Sequence, residues 1–321
     1  MEASIEGDFV VLQHSKNIER RGFGVKRGNR LLLHPVEAVY LVSKGKIGVR
    51  WKGRTLTFPE LFRWAVSRNP DFPSLYFAYE DLRDRGRKIK PVDRFLTGRS
   101  VFLPLSEREK ITMPWLFEIK RNFDNFILAV VDEESEVTYY KVTDIELTGK
   151  QEEKMGRLRG YFVGDRVLTD NTSIFRKYFY GTEKNGIVSL SLVESLYLAE
   201  KGVLEIYADK KLDVEEIKKL SATVEDNFLR RYEVYKDLKE RGFVVKTGFK
   251  FGSDFRIYEE VRSVKDLPHS KYLVAVVDDR KMPLYEIARA VRLAQNVRKK
   301  MVFAFGRNGE IKYIALERVR V

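Results

Sequence analysis

The sequence predicts a mixed α/β protein built by tandem duplication, each copy joining a small α/β subdomain to a second α/β subdomain with mixed sheets. Three observations carry this. VEAVYLVSKG at Val36–Gly45 returns as VESLYLAEKG at Val193–Gly202, 157 residues later. YFAYEDLRDRG at Tyr76–Gly86 returns as YEVYKDLKERG at Tyr232–Gly242, 156 residues later. Around both, helical apolar spacing alternates with short β-rich runs, so each copy reads as one supersecondary unit used twice. A looser echo links GFGVKRG at Gly22–Gly28 to FYGTEKNG, which contains Gly181. The expected divisions are residues 1–72 and 73–150 for the first copy, and 151–226 and 227–321 for the second.

Each copy opens with β-rich sequence and a capped helix. Ser191 followed by Glu194 forms the capping-box pattern, in which each side chain satisfies the other's backbone donor. Pro35 at the first helical position and Glu37 at the third play the corresponding part in the first copy. Val193, Leu196 and Tyr197 recur at helical spacing. A second helix stops at Gly86 or Gly242, since glycine takes the left-handed conformation that ends helices. Its tyrosines, Tyr76 with Tyr79 and Tyr232 with Tyr235, share a face and read as packing residues. An apolar strand follows (VFLPL from Val101, YLVAVV from Tyr272), then a helix opened by Met113-Pro114 or Met282-Pro283. A second apolar strand, NFILAVV or KMVFAF, a polar turn and a last strand complete each copy.

The copies differ after the glycine stop. From Gly242 the chain runs 30 residues to the strand at Tyr272, but from Gly86 only 15 to Val101. The first copy is therefore expected to be degenerate, lacking most of KTGFKFGSDFRIY at Lys246–Tyr258. In that segment FVVK reads as a strand, Thr247-Gly248 as a turn and FKFGSDFRIY as a returning strand, with a bulge at Gly252. Alternation puts Phe255 and Ile257 on one face, and Asp254, Arg256 and Tyr258 on the other, a polar one.

Composition narrows the function. The chain has 321 residues, 60 of them basic against 47 acidic, for a net charge of +13. A pI near 9.6 points to a polyanionic partner, although charge alone also serves solubility. With no cysteine there is no disulfide, thiol nucleophile or thiolate metal site. No apolar run approaches ~18 residues, so no membrane helix is expected. MEASIEGDFVVLQHS lacks the pattern of a secretory leader, and the chain is expected to be cytoplasmic.

Three side chains stand where chemistry is usually built, at the ends of elements. Tyr258 closes a strand, His269 follows Pro268 just before another, and Lys299 precedes KMVFAF. Each alone has a plain structural reading: a strand tyrosine, a structural histidine, a solvated lysine beside an apolar strand. The other histidines, His14 and His34, lie near the start of the first copy, and His34 before Pro35 reads as a helix-start residue. No histidine pair has metal-ligand spacing. In the helix from about Leu284 to Asn296, Ile287, Val291 and Ala294 face inward while Arg289, Arg292 and Asn296 face outward.

KTGFKFGSDFRIY, LPHSKYLV and ARAVRLAQNVRKKMVFAF together resemble the archaeal tRNA-splicing endonuclease family, in its two-repeat homodimeric form with a degenerate first copy. The resemblance covers essentially the whole chain. It implies that the second subdomains are nuclease-like, with Tyr258, His269 and Lys299 as catalytic residues and Arg292 and Arg318 sandwiching a base; Lys300 leaves the third position one residue ambiguous. It further implies a pre-tRNA substrate with a bulge-helix-bulge intron junction, no cofactor and no required metal. The acidic turn Asp132, Glu133, Glu134 and Glu136, against GRNGE in the second copy, is implied to dock another unit of a homodimer; ordinary hairpin solvation is the plainer reading.

The chemistry agrees with these residue types. RNA carries its own nucleophile, the 2′-hydroxyl. Tyrosine suits proton removal, histidine proton donation, and lysine the charge developing on phosphate. The products would be a 2′,3′-cyclic phosphate and a 5′-hydroxyl. Two other readings stand beside it: a metal-dependent nuclease using Asp254, Asp278 or Asp279, and a non-catalytic RNA-binding subunit.

Overall fold

The computed structural model describes every residue except His14, Asn308 and Gly309, with the backbone alone of Arg307. His14 and the tip of the GRNGE turn thus lie outside the described residues. Each copy begins with a six-stranded sheet of the same order. In the first copy it runs Val25–Arg27, Arg30–Leu33, Phe9–Gln13, Glu2–Glu6, Gly48–Trp51, Arg54–Thr55. In the second it runs Thr182–Lys184, Ile187–Ser191, Arg166–Thr169, Leu158–Val163, Leu204–Tyr207, Lys211–Leu212.

The capping signals form as read. Ser191 N–H donates to Glu194 Oε2 at 2.9 Å and Glu194 N–H to Ser191 Oγ at 3.4 Å, opening the helix Leu192–Glu200. In the first copy His34 is the N-cap of Pro35–Ser43, its Nδ1 accepting from Val36 N–H at 3.2 Å. The glycine stops form too: Gly86 and Gly242 sit at φ +78° and +83° after Phe72–Asp84 and Phe228–Glu240.

These two helices bind the subdomains together. Leu75, Tyr76 and Tyr79 pack in one core with Val36, Val39 and Leu61 of the first sheet's helices and with Phe102 and Ile127 of the next sheet. Tyr232 and Tyr235 do the same in the second copy, so the paired tyrosines are packing residues.

The second subdomains share one sheet of ten strands. From one edge it runs Val244–Thr247, Phe255–Tyr258, Tyr272–Val276, Lys300–Arg307 and Glu310–Val319. It then continues through the first copy in reverse: Val137–Asp144, Phe126–Val131, Val101–Ser106, Phe95–Thr97, Lys90–Val92. The last strands of the two copies meet antiparallel, Tyr139 opposite Val319 and Asp144 opposite Ile314. The duplication thus gives an internal pseudo-twofold. Its helices, Met113–Arg121 and Leu284–Asn296, cover a common core containing Leu105, Leu116, Leu128, Val291 and Leu316.

Three expectations need correction. The first copy keeps the edge hairpin, as Lys90–Val92 paired with Phe95–Thr97; it lacks the long turn and the loop after it. FKFGSDFRIY is not one strand: Phe249–Phe251 is a short 3₁₀ turn, Gly252 takes φ +68°, and the strand starts only at Phe255. Met282–Pro283 does not open a helix as Met113-Pro114 does. It forms a two-residue ladder with Lys110–Ile111, and the helix begins at Leu284.

Candidate active site

Three adjacent strands end together. Ile257 lies opposite Tyr272, and Tyr272 beside Lys300. The residue after the first strand's Ile257, the segment leading into the second strand and the residue before the third are therefore on one sheet end. These are Tyr258, His269–Lys271 and Lys299. His269 is exposed, while Ser270 beside it is buried. Lys299 Nζ donates to the Ser270 carbonyl at 2.7 Å and lies 5.8 Å from the Phe251 ring centroid. The backbone aims it there: Arg298 adopts φ +56° at the end of the helix, and Lys299 N–H closes on Ala294 O at 2.9 Å. Burial, followed by the positive charge of Arg256, holds the Lys299 ammonium below the ordinary lysine range.

Lys300 points elsewhere and pairs with Glu317 at 3.1 Å. Of the two lysines, it is Lys299 that faces the His269 segment.

Tyr258 differs from its expected setting. It does project opposite Phe255 and Ile257, on the side of Arg256, but its own surroundings are apolar. Tyr258 is only 5 % exposed and packs with Phe179, Val244 and Val261. The physical reason is long-range: a helix end of the small subdomain lies over the strand. Arg256, two residues earlier on the same side, has its guanidinium 5.8 Å from the Tyr258 ring centroid and 5.9 Å from that of Phe251. Arg256 Nε is buried without a protein acceptor.

Arg292 and Arg318 are both exposed and face a common neighbour. Burial raises the Tyr140 phenol pKa, and both guanidiniums pull it back. Gln295, one turn along the helix from Arg292, donates to the Arg318 carbonyl at 3.0 Å. Arg318 follows Glu317, the partner of Lys300, so it too lies at the Lys299 end of the sheet.

The acidic turn joins Phe126–Val131 to Val137–Asp144. Asp132 builds the turn, its Oδ1 accepting from Glu134 and Glu136 N–H at 3.0 and 2.9 Å. Glu133, Glu134 and Glu136 are exposed, and Glu133 pairs with Arg108 at 2.7 Å.

The carboxylates weighed for a metal have other partners. Asp254 accepts Val276 N–H at 2.8 Å and pairs with Arg231 at 3.1 Å, so it anchors the turn. Asp278 pairs with Arg230 at 3.6 Å and accepts Arg280 N–H at 3.1 Å. Among the described residues no cluster of three or more histidine and carboxylate side chains is arranged to hold a metal ion.

The residues that the sequence did not single out are those that join segments. Gln151, in the connection between copies, accepts Val261 N–H through Oε1 at 2.9 Å, and Lys150 N–H donates to Glu259 O at 2.7 Å. This connection holds the chain immediately after Tyr258. Phe251 and Arg256 lie within the quoted segment, and their aromatic and cationic character is the available signal.

Comparison with known proteins agrees with this architecture. Residues 228–313 match the family model for the tRNA intron endonuclease catalytic C-terminal domain. The corresponding N-terminal domain model matches twice, at residues 1–62 and 158–218. The tRNA-splicing endonuclease of Methanosarcina barkeri is 36% identical, with all of both chains covered. That of Haloarcula marismortui is 34% identical over 99% of each. The match of the second copy to that catalytic domain, together with full-length relatives that are tRNA-splicing endonucleases, places the protein among RNA endonucleases. The chain belongs to the tRNA intron endonuclease family.

Proposed function

We propose that this enzyme cuts pre-tRNA at bulge-helix-bulge intron junctions without a metal ion. In the proposed reaction Tyr258, acting as its phenolate, takes the 2′-hydroxyl proton and becomes the phenol, and the 2′-oxygen attacks the adjacent phosphorus. The bond to the 5′-oxygen breaks, and His269 delivers a proton to that oxygen. Lys299 stabilises the extra negative charge on the phosphorane, as a donor aimed at developing charge does. The products are a 2′,3′-cyclic phosphate and a 5′-hydroxyl. The observation that supports this most is the Lys299–Ser270 hydrogen bond, which ties the lysine to the histidine's segment at the sheet end where Tyr258 stands.

Bulges suit this chemistry, because an unstacked nucleotide can reach the in-line geometry that A-form stacking resists. In this reading Arg292 and Arg318 clamp a flipped base between guanidinium planes. Two chains assemble about a twofold, with Glu133, Glu134 and Glu136 docking on the partner, and the pair works in the cytoplasm. No helix among the described residues is long and apolar enough to cross a membrane.

The test is end-group analysis of a bulged pre-tRNA incubated with the protein and excess EDTA. Cyclic phosphate and 5′-hydroxyl ends are expected. A requirement for magnesium, or 5′-phosphate products, would overturn the proposal.

A further inference from the structure

Phe179 ends the helix Ser173–Tyr178 in the left-handed conformation, at φ +60° and ψ +30°. A bulky side chain resists that region because its Cβ crowds the neighbouring carbonyl. The matching position 157 residues earlier is Gly22, also left-handed at φ +82°, just after the helix Lys16–Arg20. The same helix stop is thus built with glycine in one copy and phenylalanine in the other. Strain of this kind persists where surrounding structure imposes it, and it concentrates at functional sites.

The pair of rings at Phe179 is specific to the second copy, while the lysine beside it has a counterpart in the first. The Phe179 ring is 6 % exposed and meets the Tyr258 ring edge-on, centroids 6.1 Å apart and planes at 67°. Lys246 Nζ stands 4.9 Å from the Phe179 centroid. That lysine is itself held by Gly181 O at 2.7 Å and Glu194 Oε1 at 3.2 Å. The first copy repeats the bracket: Lys90 donates to Gly24 O at 2.6 Å, and Gly24 N–H donates to Glu37 at 2.9 Å. The paired strands show where the copies part. Lys246 faces Arg256 and Lys90 faces Thr97. Two residues further on, the second copy has Tyr258 within its strand, while the first has Arg99, outside any strand. The aromatic at the helix stop occurs only in the copy that has the tyrosine.

We propose that Phe179 is a positioning residue for the cleavage reaction: held in a strained backbone conformation, its ring sets the orientation of Tyr258 from the small subdomain. This rests on the reading of Tyr258 as the group that takes the 2′-proton.

The experiment compares single-turnover cleavage rate and KM on a bulged pre-tRNA for Phe179→Gly, Phe179→Leu, Phe179→Tyr and Tyr258→Phe, well below each variant's melting temperature. Glycine relieves the backbone strain but removes the ring; leucine keeps apolar bulk without an aromatic edge; tyrosine keeps the ring. The glycine and leucine variants are expected to cut about tenfold to a hundredfold more slowly, the scale of a misplaced catalytic group. Their KM should stay within about twofold, since ground-state binding is untouched. Phe179→Tyr should retain most of the rate, and Phe179→Leu added to Tyr258→Phe should cause no further loss. If the glycine variant does not fold, the leucine variant decides. A folded Phe179→Leu protein cutting at the parental rate, with Tyr258→Phe inactive, overturns the positioning role alone. Tyr258→Phe cutting at the parental rate overturns the underlying reading of the site.

Discussion

Lys299 donates its ammonium hydrogen to the Ser270 carbonyl at 2.7 Å, one residue past His269. A lysine just before one strand thereby steadies the segment that carries the histidine into its neighbour. Lys299→Ala should lower single-turnover cleavage by roughly 10²–10³-fold, the range for removing one donor to developing charge, with RNA affinity in a gel shift nearly unchanged. Parental cleavage by this variant would remove Lys299 from the mechanism.

Burial comes first in holding Lys299 below its ordinary range, and the Arg256 charge adds to it. Arg256→Gln removes the like charge and should therefore strengthen proton binding at Lys299. Acylation of Lys299 by an amine reagent, followed by peptide mass spectrometry, should be slower in the variant at a given alkaline pH, because only the neutral amine reacts. Equal or faster labelling would show that the Arg256 field does not reach Lys299.

Arg292 and Arg318 are proposed to sandwich a base, and that role needs planar guanidiniums. Lysine keeps the charge but lacks the flat face. Arg292→Lys and Arg318→Lys should each lower cleavage about tenfold, while the slope of log affinity against log salt stays as in the parent. Full activity with lysine would make both residues simple phosphate contacts.

How legible the site was depended on the range of the interactions. Ser191 with Glu194, Pro35 with Glu37, and the stops at Gly86 and Gly242 are local, and sequence spacing is enough to read them. The ends of three strands could be aligned because each apolar run has one polar neighbour, Tyr258, His269 or Lys299. The burial of Tyr258 could not be read, because Phe179 covers it from 79 residues away. Nor could alternation reveal the 3₁₀ turn at Phe249–Phe251, where two glycines free the backbone from the strand period.

The acidic turn is proposed to dock a second chain, and its residues do not share one role. Asp132 holds the turn through two backbone N–H groups, so changing it would unmake the loop. Glu133→Lys with Glu134→Lys leaves the turn intact and reverses its charge. The double variant should appear with a lower mass by light scattering at matched concentration. An unchanged mass would exclude these carboxylates from assembly.

His34 provides a pH dependence whose sign can be worked out. Its Nδ1 accepts the Val36 N–H at 3.2 Å, which requires an unprotonated nitrogen, and burial lowers its pKa from 6.5 to about 4. In the unfolded chain the histidine binds a proton near its ordinary value; the folded protein does not until much lower pH. The stability it contributes is thus fully present above about pH 6.5 and is lost as pH falls towards about 4. The difference between the two pKa values limits the effect to about 3 kcal/mol. His34→Asn keeps a capping acceptor and removes the titration. Glu37, whose Oε2 accepts the His34 backbone N–H at 2.9 Å, is present in both proteins, so its own raised pKa should largely cancel. Between about pH 7 and about pH 4.5, urea unfolding should show the parent losing about 2 kcal/mol more than the variant. Equal losses would mean that the imidazole is protonated as readily in the fold as outside it.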